Sequence, residues 1–166
     1  MTLDSIRVLL LYAQWMPYTA DDDHPPKSRY NEISAWAVLG LAVRYALFLG
    51  LDQKGLQPFA PSSTAAVSPD EVARLRVWYN LLTCDFNLML TSGLPASLDP
   101  TVSGQLARRF GTHRLAHQPA DLRVAGLVEL VALVHRTMRR YGDVSGRQLN
   151  VEGLRQLNVS FDEWEE

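Results

Sequence analysis

Cysteine is almost missing from this chain: Cys84 stands alone among 166 residues. That excludes a disulfide within the chain and a zinc site built from several of its own thiolates, and a lone thiol suits a reducing compartment. An excess of positive charge is missing too. The 16 Lys and Arg against 18 Asp and Glu leave a formal net charge of -2 with His neutral, so the chain lacks the basic face that grips phosphates. Any contact with DNA has to be made by something else. Also absent are a Gly-x-Ser-x-Gly elbow, a phosphate loop, a dinucleotide fingerprint, the period-two alternation of strands and any repeat of fixed period. No basic, then apolar, then small-residue leader precedes the first amphipathic stretch, so the Asn-Val-Ser sequon at Asn158 is expected to stay unmodified. The longest apolar run, Ile33 to Leu51, carries Arg44 and two glycines. It reads as the central helix of a bundle rather than a membrane span.

What is present is helical punctuation. The hydrophobic fraction of 47% and charged fraction of 20% are those of an ordinary folded domain. The expected fold is all-α, an irregular multi-helix bundle. A first helix is expected to run to Met16 with Val8, Leu9, Leu11, Tyr12 and Trp15 as its apolar stripe. A second covers about Glu32 to Leu49 and stops at Gly50. Between them, residues 17–31 read as an acidic, proline-bearing loop, and residues 52–67 as a long surface loop. Ser68-Pro69-Asp70-Glu71 forms a capping box, and Gly93 and Pro95 close the helix it starts, whose stripe is Leu75, Trp78, Tyr79, Leu82, Phe86, Met89 and Leu90. A weakly patterned helix over Thr101 to Phe110 follows. Another runs from Pro119 to Arg140 with Gly142 as its C-cap, and a last one from about Asn150 has Leu154, Leu157, Phe161 and Trp164 on one stripe. That stripe is still apolar where the sequence stops, so residues 1–166 are expected to be a fragment of a larger helical domain.

Several polar groupings look like sites and have plainer readings. Asp21-Asp22-Asp23-His24 could hold magnesium, but the run is contiguous and precedes Pro25-Pro26, so a solvated loop is the better reading. His113 and His117 are bracketed by Gly111 and Pro119 and lack a following glutamate, which leaves them as surface residues. Cys84 reads as a small core residue and His135 as a core or edge residue. Arg44 and Asp85 are different, because each is a charge inside a strongly apolar helix, and buried charges need partners. They either pair with one another, or Arg44 snorkels to water and Asp85 faces it.

Two stretches, "AWAVLGLAVRYALFLGLD" from Ala35 and "RLRVWYNLLTCDFNLMLTSGLPASLD" from Arg74, together resemble the middle homology domain of fungal zinc-cluster transcription factors. Trp36, Gly40, Arg44, Gly50 and Leu51 match that family's first motif, and Arg74, Arg76, Trp78, Asp85, Gly93 and Pro95 its second. Tyr79, Phe86 and Leu94 depart from it, the last two where the family often has arginine, which leaves Arg44 and Arg76 as the expected partners of Asp85. The resemblance implies a non-enzymatic regulatory domain, acting in the nucleus on transcription by RNA polymerase II. DNA would be reached only through a cysteine-ligated zinc cluster outside this chain, and zinc would belong to that cluster alone, with no cofactor or metal here. It further implies a small-molecule effector, co-regulators of the transcription machinery as partners, no membrane, and a homodimer as one form of assembly. First candidates for effector contact are Trp36, Arg44, Trp78 and Asp85, with core structure as their plainer role. The rival readings are a helical magnesium-dependent isoprenoid or lipid enzyme using Asp21 to Asp23, and a ligand-free scaffold module.

Overall fold

The clearest link from sequence to local structure is at residue 68. The Ser68 hydroxyl accepts from the Glu71 amide at 3.3 Å, and the Glu71 carboxylate accepts from the Ser68 amide at 2.7 Å. Pro69 occupies the first helical position, where its missing N–H costs nothing. Ser68→Ala is expected to remove about 1 kcal/mol of stability, measured by urea denaturation followed by circular dichroism; no change would mean that water caps this end equally well. A computed structural model describes residues 2–15, 33–64, 66–116, 119–143 and 148–165. These residues form six α-helices and one short 3-10 turn, with no strand beyond an isolated bridge, in agreement with the all-α expectation. They divide into two compact units, Met1–Leu98 and Asp99–Glu166.

The first unit contains α1 (Leu3–Gln14), α2 (Ile33–Phe48) and α3 (Pro69–Ser92). In α3 Leu75, Trp78, Tyr79, Leu82 and Phe86 of the expected stripe are buried while Leu90 is exposed, and Gly93 ends the helix in the left-handed region at φ 70°. Gly50 ends α2 in the same way at φ 68°. Only glycine adopts that conformation without a Cβ clash.

Three expectations need correction. In α1 it is Ile6, Leu10 and Ala13 that turn inward, while Val8, Leu11, Tyr12 and Trp15 are exposed. Both sets have helical spacing, so periodicity alone could not choose between them. The second helix is not enclosed all round. Ala35, Leu39, Ala42, Val43 and Ala46 form its buried face, and Trp36, Leu41, Leu47 and Phe48 lie on the exposed side, Phe48 being 80% exposed. Alanines face inward because small side chains let neighbouring helix axes come close. The segment read as a surface loop from 52 to 67 is anchored instead: Leu51, Leu56 and Phe59 are buried around the 3-10 turn Gln57–Phe59. The expected loop at 17–31, with Asp21 to His24, lies outside the described residues, as does His117.

The second unit contains α4 (Thr101–Gly111), α5 (Pro119–Tyr141) and α6 (Val151–Glu165). Asp99 starts α4: its Oδ1 accepts from the Thr101 amide at 2.9 Å and the Thr101 hydroxyl at 2.5 Å. Those bonds hold its carboxyl below the ordinary range. Its other contacts reach α5, with Arg139 Nη1 at 3.4 Å and His135 Nε2 at 3.7 Å. The half-buried His135 is thus an edge residue, its pKa lowered by burial against the opposing pull of Asp99.

The α4–α5 seam is made of small residues seven apart on each helix: a Cβ on Gly104 would overlap the Ala132 Cβ, and one on Gly111 would lie 3.1 Å from the Ala125 Cβ. Gly142 does not cap α5 with a left-handed turn. It pairs with Leu149 in an antiparallel bridge, and a Cβ there would meet the Met138 carbonyl. Asn150 then caps α6, its Oδ1 accepting from the Gly153 amide at 2.7 Å. Among the described residues, no helix is long and apolar enough to cross a membrane.

Candidate functional site

Asp85 lies on α3 with 3% of its surface exposed. Its Oδ2 accepts from the Ser97 amide at 2.6 Å and the Leu98 amide at 2.9 Å. A charge inside an apolar helix is therefore used to fasten the irregular stretch that follows the Gly93 turn. The expected pair with Arg44 is not formed in this way, since Arg44 is exposed on α2 with its guanidinium extended past Gly40. Burial raises the pKa of Asp85, opposed by the Leu98 and Ser97 amides and the Ser97 hydroxyl. No arginine enters that balance.

The other residues of the two motifs differ in exposure. Trp78 is buried in the core, Trp36 is 38% exposed on α2, Arg76 is half-buried, and Gly93 and Pro95 are exposed at the exit turn. Trp36 and Arg44 are thus exposed on α2, while Trp78 and Asp85 are buried on α3. Cys84 is half-buried and accepts from the Gln14 side chain of α1. Burial pushes its thiol above the ordinary value, opposed by the hydrogen bond from Gln14.

A groove with apolar and charged lining is found in the second unit, at residues that the sequence did not single out as a site. An open groove of about 460 Å³ runs along α4, α5 and the end of α6. Its lining includes Glu129, whose side chain is 18% exposed. Its Oε2 accepts from the Trp164 indole Nε1 at 2.9 Å, and its Oε1 lies 3.4 Å from Arg108 Nε. One carboxylate of α5 thus ties α4 and α6 together.

The Trp164 ring packs over Gly126, one turn before Glu129, where a Cβ would lie 3.5 Å from Trp164 Cζ2, an ordinary contact. Leu122, Leu127 and Leu130 supply apolar wall, and Arg123 stands at the rim. Apolar walls with a few converging polar groups are what small-molecule sites present, and this volume lies within their usual range of about 300–1,000 Å³. The signal for Glu129 was of the same kind as that for Asp85, an acid inside the apolar run "GLVELVALV". Its partners were not readable, since Trp164 is 35 residues away. Glu129→Ala is expected to cost about 1–2 kcal/mol and to speed amide hydrogen exchange throughout α6; unchanged exchange would show that α6 is seated by its apolar stripe alone.

Comparison with known proteins gives two relatives. The chain is 28% identical over 168 aligned positions to the transcriptional activator of proteases prtT of Emericella nidulans, covering 98% of this chain and 22% of that protein. It is 32% identical over 76 residues to the pyriculol/pyriculariol biosynthesis cluster transcription factor 1 of Pyricularia oryzae, covering 46% of this chain and 9% of that protein. The chain thus spans about a fifth of the length of the first relative and under a tenth of the second. No protein-family model matches the chain, and no solved structure matches it. Both relatives are fungal transcription regulators, in agreement at that level with the resemblance carried by the two motifs.

Proposed function

We propose that this chain is a helical regulatory domain of a fungal zinc-cluster transcription factor, non-enzymatic and nuclear, that controls transcription by RNA polymerase II in response to a small molecule. The observation that carries this reading is the alignment with a fungal transcriptional activator over 98% of the chain. The near-neutral charge supports the same division of labour, with DNA held by a zinc cluster outside these residues and this domain setting the output.

The effector site in this proposal is the α4–α5–α6 groove rather than Trp36, Arg44, Trp78 and Asp85. A ligand seated there meets Trp164 and Glu129, the two groups that hold α6 to α5. It would therefore bias how firmly α6 is seated, and through that a surface offered to co-regulators or to a second copy of the chain. Such a bias needs only a differential affinity for the two states, about 1.4 kcal/mol for each tenfold shift in their ratio. Trp78 and Asp85 keep structural roles in this scheme.

The magnesium-dependent enzyme using Asp21 to Asp23 is the weaker reading, since both relatives are named as transcription regulators. The test is to fuse residues 1–166 to a heterologous DNA-binding domain and read a reporter gene in a fungal host. A change in transcription that depends on the fusion is expected. Output equal to that of the DNA-binding domain alone, from a folded and nuclear fusion, would sink the regulatory reading.

A further inference from the structure

The charges around the groove define what it would take. Arg108 and Arg123 are two cations on its lining, and Glu129 is its one carboxylate, which leaves a net charge of +1. Glu129 is already committed, one oxygen to the Trp164 indole and the other beside Arg108. Arg123 is different. It is exposed and has no ion pair or hydrogen bond among the described residues. A guanidinium presents a planar fork of donors matched to a carboxylate, and it holds its charge at every pH of interest.

The apolar part of the lining complements this. The Trp164 ring lies over Gly126, and Leu122 and Leu127, both exposed, line the same groove. Exposed leucines next to an indole and an unpaired cation match a ligand with a flat or short apolar body and one negative end. A polyanion would fit less well, because Glu129 lies among the same residues and would repel a second negative charge.

Resting on the reading of this groove as the effector site, we infer that it takes an amphipathic organic monoanion, an aromatic or short alkyl carboxylate, with Arg123 as the anchor for the carboxylate and Trp164 as the surface for the apolar body. Arg108 holds Glu129 in place and is not the anchor.

The probes are 4-phenylbutyrate and its neutral counterpart 4-phenylbutanol, titrated into the folded chain. The readout is the Trp164 indole Nε1–H signal in a proton–nitrogen correlation spectrum, assigned by its loss in Trp164→Phe. That proton sits in the bond to Glu129, so it reports a ligand placed in the groove. Saturable movement of this signal by the acid is expected, with the alcohol at least about tenfold weaker, a difference of about 1.4 kcal/mol. Arg123→Gln should lower affinity for the acid by about the same factor and leave the alcohol unchanged. Because Arg123 is exposed, the variant should keep the wild-type melting temperature.

Equal binding of acid and alcohol, or an Arg123→Gln variant that binds the acid as well as wild type, would overturn the assignment of an anion while leaving a groove that binds ligands. A Trp164 signal unmoved by either probe at millimolar concentration would overturn the groove as a site for this class altogether. Neither result touches the reporter assay, so failure here and failure of the regulatory reading are separable.

Discussion

Asp85→Ala lowers the stability of the first unit by about 2–4 kcal/mol, because it leaves the Ser97 and Leu98 amides without their acceptor, and a polar group stranded in the interior costs about 1–3 kcal/mol. Asp85→Asn behaves differently. Both amide bonds converge on a single oxygen, Oδ2, and an asparagine carbonyl can occupy that place, so its cost is expected to stay within about 1 kcal/mol. Chemical denaturation of the two variants reads the contrast directly. If asparagine proves as costly as alanine, the negative charge itself is what matters, and an ion pair with an arginine would have to be restored to the account.

The pH dependence gives a second reading of the same residue. Burial raises the carboxyl of Asp85 above its ordinary value of 3.8, so the folded protein takes up this proton more readily than the unfolded chain. The associated stability is fully present below the unfolded value and is lost as pH rises through the folded value. Asp85→Asn carries no such loss. The stability of wild type relative to the asparagine variant should therefore fall as pH rises through that window, and a difference that grows instead would reverse the sign assigned to the burial effect.

Gly104→Ala is the other substitution with a large expected effect. Alanine is the better helix former by about 1 kcal/mol, so a solvent-facing glycine in mid-helix would be improved by it. Here the new methyl group would overlap the Ala132 Cβ across the α4–α5 seam. Forcing the two helices apart is expected to cost about 1–3 kcal/mol net of the propensity gain.

The check on mechanism is a swap. Gly104→Ala combined with Ala132→Gly puts the methyl on the opposite helix and should recover stability to within about 1 kcal/mol of wild type, a strong coupling between sites in contact. If the double variant loses as much as the two single variants added together, the helices do not approach at these two residues.

Legibility in the sequence followed the range of the interaction. The Ser68–Glu71 box, the glycine stops at Gly50 and Gly93 and the asparagine at the start of α6 act over at most a few residues, and each is written where it acts. The candidate site was less legible. Asp85 and Glu129 both announce themselves as acids in apolar helices, yet the partners of the first lie 12 and 13 residues on in an irregular stretch, and Trp164 reaches the second from 35 residues away. Local pattern has no means of specifying which of several distant donors will arrive. Arg44 illustrates the same limit from the other side, since its register within an apolar run says nothing about whether its tip reaches water.

By itself the sequence determined the all-helical class, most of the helix ends and the near-neutral net charge, because these depend on side-chain periodicity, backbone capping and composition. Only the tertiary structure decided which stripe of α1 turns inward, that Leu51, Leu56 and Phe59 anchor the connection before α3, and that Arg108, Arg123, Glu129 and Trp164 share one groove. The physical reason is that burial and binding sites belong to surfaces brought together from distant parts of the chain. Helical spacing permits more than one inward face, and packing against elements distant in the chain selects between them.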